Sequence, residues 1–350
     1  VILKNQIGIP SLVRVKVGAL DRLGLYLSRN NHLRAVVLVS RGMVPAYVER
    51  ARASLAAHGV ACDDWVEVEE ASFEKAADLF QSIRKETKAV VGIGGGKALD
   101  VAKYVAFLAR LPYYAIPTSL SNDGFCSPQS SLTMGGRRKS LAAALPFGVV
   151  VDLEVCKDAP RPLWMSGIGD LTSKITAVFD WKLAFHAVGE PVDDFAALLS
   201  DATVYQYLGQ PTFDVQGARL LSTSLMFNGI AMEICGSSRP ASGSEHLISH
   251  ALDSISERPR LHGLQVGVAT YLMSLTQGNG PARIDGLFEQ TGFWETIRAD
   301  PFRREEWAKA VRMAPSIKED FYTVLSQDGA VDRAIGLLES DDRLRSCFGG

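Results

Sequence analysis

The spacing of apolar positions divides the chain in two. Ala35-Val36-Val37-Leu38-Val39, Ala89-Val90-Val91-Gly92-Ile93 and Tyr113-Tyr114-Ala115-Ile116-Pro117 are short, nearly unbroken apolar runs. Runs of this length, rich in β-branched and aromatic residues, predict strands buried on both faces. Trp65-Val66-Glu67-Val68 looks like another strand, and the pattern changes after Val149-Val150-Val151-Asp152. Helical patterns separate them: residues 45–58, with Pro45 suited to a first turn; 73–85, with Phe73, Ala76, Ala77, Phe80 and Ile83 on one side; and about 97–108. Strand and helix alternate, which predicts a parallel sheet covered by helices on both faces. Beyond Pro160 and Pro162 the period is helical nearly to the end, over 169–187, 193–207, 215–234, 243–255 and 263–277. The expected organisation is an α/β domain over 1–156 followed by an all-helical domain over 157–350. Gly135-Gly136-Arg137-Arg138-Lys139 lies between two short extended runs and predicts a hairpin turn, whose three cations are most simply a solvated tip and otherwise a grip on phosphate.

Length agrees with two domains, since 350 residues exceed what one core usually organises. Hydrophobic residues at 47% and charged ones at 22% exclude a disordered tail or a fibrous repeat. A net charge of −2 excludes the basic footprint of a nucleic-acid binder, so an anionic substrate must be held by a few placed cations. No apolar stretch is long enough for membrane insertion; the nearest, Leu141 to Val151, is broken by Pro146 and Gly148. Val1-Ile2-Leu3-Lys4 lacks a signal-peptide layout and an initiating Met, so the chain is expected to be trimmed. The five cysteines are scattered and form no CxxC, which predicts free thiols in a reducing cytoplasm rather than a cysteine zinc site.

Gly94-Gly95-Gly96-Lys97-Ala98-Leu99-Asp100 sits where a strand hands over to a helix. Glycines there admit a pyrophosphate against the backbone, and the new helix aims free N–H groups at it. The turn is neither the first of its kind in the chain nor a GxGxxG, and a purely packing use of the glycines stays open. The next strand is followed by Pro117-Thr118-Ser119-Leu120-Ser121-Asn122-Asp123-Gly124, whose hydroxyls suit a ribose or phosphate. Asp123 is either a turn-former or a carboxylate for substrate hydroxyls.

In the helical half, His246 and His250 are spaced i,i+4 on one helix face, and His262 opens the next helix. With Asp170 they offer two imidazoles and a carboxylate, a donor set for a catalytic divalent ion with an open position. Histidines satisfied in a helix contact are the plain alternative. Glu245 precedes the first of them, which is not the HExxH arrangement, and is expected to face elsewhere. Arg239, on the loop leading to His246, is the expected cation for a substrate phosphate; an ion pair with Glu233 or Glu245 is its alternative. Lys174, one turn after Asp170, is a second such cation or an orienter of that carboxylate.

These stretches resemble the sn-glycerol-1-phosphate dehydrogenases, within the superfamily of glycerol dehydrogenase, iron-containing alcohol dehydrogenases and dehydroquinate synthase. The resemblance rests on Gly94 to Lys103, Pro117 to Gly124, Ser166 to Leu171, Asp180 to Ala184, Gly236 to Pro240, Ser244 to Asp253 and His262-Gly263. It implies an N-terminal Rossmann-like domain, a helical C-terminal domain and a site in the cleft between them. It implies NAD or NADP on Gly94, Gly95, Gly96, Lys97, Ala98, Leu99 and Asp100, on Thr118, Ser119, Leu120 and Ser121, and on Ser127. It implies one divalent metal (zinc, with nickel and iron as alternatives) on Asp170, His246 and His262, and substrate contacts from Asp123, Asp170 and His250. The substrate implied is a small phosphorylated three-carbon compound, in phospholipid biosynthesis, and the assembly a homo-oligomer. Two departures stand out. Leu264 replaces the family's usual Glu after His-Gly, and Ser40-Arg41-Gly42 replaces the Asp that often follows the strand at 35–39. An Arg there suits the 2′-phosphate of NADP, and the sequence places no carboxylate to repel it. A dehydroquinate-synthase-like cyclase, a polyol dehydrogenase and a catalytically dead dinucleotide-binding protein are the rival readings.

Overall fold

In a computed structural model the described residues are 7–349, so Val1-Ile2-Leu3-Lys4 lies outside them. The chain divides into two compact units: residues through 159 together with 213–233, and residues 160–212 together with those from 234 on.

The first unit alternates strand and helix: β1 (Leu12–Lys16), α1 (Leu23–Arg29), β2 (Arg34–Ser40), α2 (Pro45–Ala57), β3 (Ala61–Val68), α3 (Phe73–Ser82), β4 (Ala89–Gly94), α4 (Gly96–Ala109) and β5 (Tyr113–Pro117). A hairpin of β6 (Gln129–Met134) and β7 (Arg137–Ala142) follows, then β8 (Gly148–Asp152) and α5 (Leu153–Lys157). Six strands form one sheet in the order β1-β8-β5-β4-β2-β3, with every neighbouring pair parallel. Alternate side chains of one strand feed two cores, as the two-residue pleat requires. Val37 and Val39 pack with Leu23, Leu27, Ala51 and Leu55 of α1 and α2. Val36 and Leu38 pack with Ala76, Ala98, Val101 and Val105 of α3 and α4. At the hairpin tip Gly135 and Gly136 take φ of 58° and 76°, the left-handed pair a two-residue turn needs.

The second unit contains α6 (Arg161–Thr172), α7 (Lys174–Val188) and α8 (Asp194–Gly209); after α9 (Val215–Cys235) come α10 (Ser244–Ile255) and α11 (His262–Gln277), with further helices to the end. It is not wholly helical, since Phe302–Arg303 pairs in parallel with Phe348–Gly349. Among the described residues no helix is long and apolar enough to cross a membrane.

Three differences from the expected layout have physical causes. The helix expected over 169–187 is two helices that meet at Ser173, where the Thr172 and Ser173 hydroxyls donate to the carbonyls of Ile168 and Asp170 at 2.6 and 2.7 Å. Such back-bonding competes with the helix ladder and favours a bend. The first unit ends at 159 rather than 156 and also takes in most of α9. Gly229 permits this: a Cβ there would lie 1.9 Å from the Cys126 carbonyl oxygen. The edge strand β1 was not expected, because Leu12-Val13-Arg14-Val15-Lys16 mixes charge into its apolar pattern.

Candidate functional site

In the second unit, α6 and α11 approach until backbone meets backbone. A Cβ on Gly169 would stand 2.0 Å from the Gly263 carbonyl oxygen, and one on Gly263 1.8 Å from that of Ser166. Their chain neighbours are Asp170 and His262, so this contact sets the separation of those two side chains. His246 enters from the first turn of α10. One donor atom from each of Asp170, His246 and His262 lies within 4.8 Å of the others. His246 Nε2 is 3.5 Å from Asp170 Oδ1. Two donors each about 2.1 Å from one tetrahedral ion stand about 3.4 Å apart, so this donor set fits a divalent ion.

The remaining imidazole nitrogens are held from behind. His246 Nδ1 donates to Glu245 Oε1 at 2.9 Å, and His262 Nδ1 is 3.2 Å from Ser249 Oγ. Both contacts leave Nε2 as the nitrogen for an ion, the outer-shell arrangement that fixes a ligating tautomer. Glu245 therefore does not face elsewhere, as expected from sequence. It is fully buried and also accepts from Gly243 N at 2.6 Å and Thr176 Oγ1 at 2.8 Å. Ser249 is held in turn by Gln265 Nε2, which also donates to Asp253 at 2.9 Å. Gln265 stands beside Leu264, so polar support for His262 persists although the usual Glu is absent. Glu245→Gln is expected to weaken metal binding by about 10- to 100-fold while the chain stays folded, measured by competition with a chelator. Unchanged affinity would make Glu245 only a tie at the start of α10.

Charge states follow from the surroundings. Burial pushes the Asp170 carboxyl up, but the Lys174 ammonium 3.4 Å away and His246 outweigh it and hold the carboxyl well below its usual range. Burial, then the neighbouring His246, push His262 below the ordinary imidazole value. Burial also opposes charge on His246, yet Asp170 and Glu245 overcome it and raise the imidazole. An ionised carboxylate and a neutral imidazole are the ligating forms, and the pull on His246 is one a bound cation would answer.

Lys174 is buried, binds Asp170 and donates to the Ala241 carbonyl at 3.0 Å, which matches an orienter of the carboxylate. His250 is partly exposed, its ring 6.3 Å from that of His246 and 6.0 Å from that of His262. Arg239 requires a correction. It is 1% exposed, its Nε donates to Glu190 Oε1 at 2.8 Å, its Nη2 to the other oxygen, and its Nη1 to the Tyr322 carbonyl at 2.7 Å. Its guanidinium carbon also lies 3.6 Å from the Phe321 ring centroid. With the fork committed to Glu190, the residue ties loops together rather than reaching for a phosphate; neither Glu233 nor Glu245 is the partner.

In the first unit, the glycines at the end of β4 divide their tasks. Gly94 has φ 138° and packs: its Cβ would fall 2.1 Å from Ser40 Oγ. Gly95 and Gly96 face open space, where a Cβ on Gly95 meets nothing within 4 Å and one on Gly96 only Asn122 Nδ2 at 3.9 Å. Together with the start of α4 they form a cradle that a side chain would fill, which fits a pyrophosphate. Thr118 N donates to the Gly94 carbonyl at 3.1 Å and ties the second loop to the first. Asn122 Oδ1 accepts from Gly124 N at 2.9 Å and sets the short helical turn Asp123–Cys126 that presents Asp123. Lys97 is exposed and Thr118 and Ser121 are partly so, whereas Ala98, Leu99, Ser119 and Leu120 are buried. For the last four, backbone is the more available contact.

Lys103 had no role in the sequence reading and turns out to be central. It is fully buried and donates to the carbonyls of Gly124 and Gln129, both at 2.6 Å, and to Ser127 Oγ at 3.2 Å. Asp100 lies 3.5 Å away. Burial lowers the Lys103 ammonium and raises the Asp100 carboxyl, each partly offset by the other. The side chains of Asp100 and Ser127, expected to meet a cofactor, thus also fasten α4 to the loop that carries Asp123. The Val101-Ala102-Lys103 stretch was visible, but its partners lie 21 to 26 residues on.

The iron-containing alcohol dehydrogenase family matches residues 14–160. A glycerol-1-phosphate dehydrogenase [NAD(P)+] of Aeropyrum pernix is 36% identical over 341 residues, 95% of this chain and 97% of that one. The enzyme of the same name from Methanothermobacter thermautotrophicus is 37% identical, over 86% of this chain and 87% of its own. Among solved structures, glycerol dehydrogenase from Schizosaccharomyces pombe superposes with a TM-score of 0.73 at 19% identity, covering 93% of this chain and 89% of that one.

Proposed function

This chain belongs to the glycerol-1-phosphate dehydrogenase family, and on that premise we propose that it catalyses the reversible NAD(P)-linked oxidation of sn-glycerol 1-phosphate to dihydroxyacetone phosphate. The observation that carries the reading is the convergence of Asp170, His246 and His262, each backed by a further polar group. A divalent ion on these residues would supply Lewis-acid polarisation of the substrate oxygens. Nitrogen and oxygen donors suit zinc, and nickel or iron as well.

The chain's own groups do the rest. Gly95, Gly96 and the first turn of α4 seat the pyrophosphate, and Thr118 and Ser121 serve the remainder of the dinucleotide. Asp123 accepts from a substrate hydroxyl. His250 carries the proton between the C2 oxygen and water, a task an imidazole performs near neutral pH. Lys174 keeps Asp170 ionised and oriented. Because Arg239 is bound to Glu190 and Lys174 to Asp170, neither is proposed as the phosphate cation.

The deciding experiment is an oxidation assay on the two glycerol phosphate enantiomers, with glycerol alongside, using NAD and NADP. The 1-phosphate is expected to be oxidised with stoichiometric cofactor reduction, and the 3-phosphate and glycerol far more slowly. Equal rates on glycerol would make it a polyol dehydrogenase. Absence of net cofactor turnover would favour a cyclase-like enzyme, which returns the hydride, or a dead site.

A further inference from the structure

We propose that cofactor choice is set by a competition for Arg41 between Glu69 and the 2′-phosphate of NADP. The inference rests on the dinucleotide seat at Gly95-Gly96 given above and extends it to the far ribose.

Sheet topology locates that ribose. From β2 the chain leads outward to β3, while from β4 it leads the other way to β5. Connections that diverge from two adjacent strands open a crevice at their carboxyl ends, and ligands of open α/β sheets bind there. Here the crevice lies between the ends of β2 and β4. Gly94-Gly95-Gly96 closes one side and Ser40-Arg41-Gly42 the other, and the two are joined by a hydrogen bond from Gly95 N to Ser40 Oγ at 3.0 Å. A pyrophosphate on the glycine turn therefore has β2 and β3 on the side opposite β5 and the 118–121 loop.

Two charged side chains stand at that place. Arg41 N donates to the Val68 carbonyl at 3.0 Å, so the residue caps the ends of both β2 and β3. Gly42, with φ 71° and open space around it, turns the chain away and leaves Arg41 at the rim. Arg41 Nη1 donates to Glu69 Oε2, and the two side chains remain 61% and 64% exposed. Sequence spacing did not reveal this carboxylate, because Glu69 follows β3, 28 residues on.

The pairing suits both cofactors. With NADH bound, Glu69 neutralises Arg41, so no uncompensated cation faces the ribose hydroxyls. With NADPH, a 2′-phosphate takes the guanidinium fork, which binds a dianion better than it binds one carboxylate. An exposed ion pair is weak enough to be displaced, but the freed Glu69 then stands near the phosphate and handicaps NADPH.

The test is a fluorescence titration of NADH and NADPH on the purified wild-type protein, Glu69→Gln, Arg41→Ala and the double variant. Glu69→Gln is expected to tighten NADPH by roughly three- to ten-fold and to leave NADH within about two-fold. Arg41→Ala is expected to weaken NADPH by about ten-fold or more, because Glu69 then meets the phosphate unshielded, and the double variant to recover part of that loss. These differences should shrink as salt is raised. An NADPH-to-NADH ratio unmoved by either single change overturns the proposal. So does weaker NADH binding in Glu69→Gln, since Glu69 would then be a ribose acceptor. Gly95→Val separates this inference from its premise. Loss of both cofactors in that variant supports the seat; retention of both rejects the seat itself.

Discussion

His262→Ala is expected to leave the purified protein nearly free of metal and to lower turnover by about two to three orders of magnitude. The rate estimate follows from losing several kcal/mol of charge stabilisation at the reacting oxygen. Two donors remain, and neither is arranged to compensate for a third. Among the three ligands this one gives the cleanest reading. Asp170→Asn would take the carboxylate away from the buried Lys174 ammonium, and breaking a buried charge pair costs about 3–5 kcal/mol of stability. His246→Ala would remove one of the two donors to Glu245 Oε1 and leave Gly243 N. His262 is partly exposed, and its other contact is a neutral hydroxyl, so the fold should survive its removal. Metal analysis, a melting curve and a rate on one sample decide the matter. A full equivalent of metal in folded His262→Ala would remove the residue from the site. Loss of metal with rate retained would make the ion structural.

How much of this was legible in sequence depends on the range of each interaction. Residues 35–39, 89–93 and 113–117 read as strands because a central parallel strand is buried on both faces and needs no partner to betray it. Asp63 and Asp64 hid the first half of β3, since an edge strand can carry charge. His246 and His250 were visible as a helical pair and His262 as the opening of a helix. Their convergence with Asp170 depends on helix packing between residues about 90 positions apart, which spacing alone does not give. The misreadings at Arg239 and Arg41 have one cause. A charged side chain is judged from its neighbours in sequence, but Arg239 found Glu190 49 residues away and Arg41 found Glu69 28 residues away. Glu245 was misread at shorter range. At the start of α10 its carboxylate folds back to Gly243 N and across to the adjacent His246 ring, although helix-face spacing separates consecutive residues.

Gly263→Ala is expected to damage the site through the backbone, without touching a ligand. Its Cβ would lie 1.8 Å from the Ser166 carbonyl oxygen and 2.5 Å from the carbonyl carbon. Neither is the end of a flexible side chain, so α6 and α11 must part by an ångström or more. Overpacking of this kind costs about 3 kcal/mol at the upper end of its usual range, or a fall in melting temperature of roughly 5–10 °C for units of this size. The larger consequence is local. Asp170 and His262 lie next to Gly169 and Gly263, so the movement that relieves the clash also separates the two donors. Metal affinity should therefore fall further than global stability does, and excess metal should restore only part of the activity. Gly169→Ala presses on the same contact from the other side, with its Cβ 2.0 Å from the Gly263 carbonyl oxygen. The double variant should cost less than the sum of the two, because one separation relieves both clashes. Gly286→Ala and Gly336→Ala serve as references, since both lie within helices and a Cβ on either meets nothing within 4 Å. They should be neutral or stabilising by up to about 1 kcal/mol, the gain from replacing an unstrained helical glycine. Wild-type metal affinity in a folded Gly263→Ala protein would show that the site tolerates a shift between its two helices, and that the glycine contact serves packing alone.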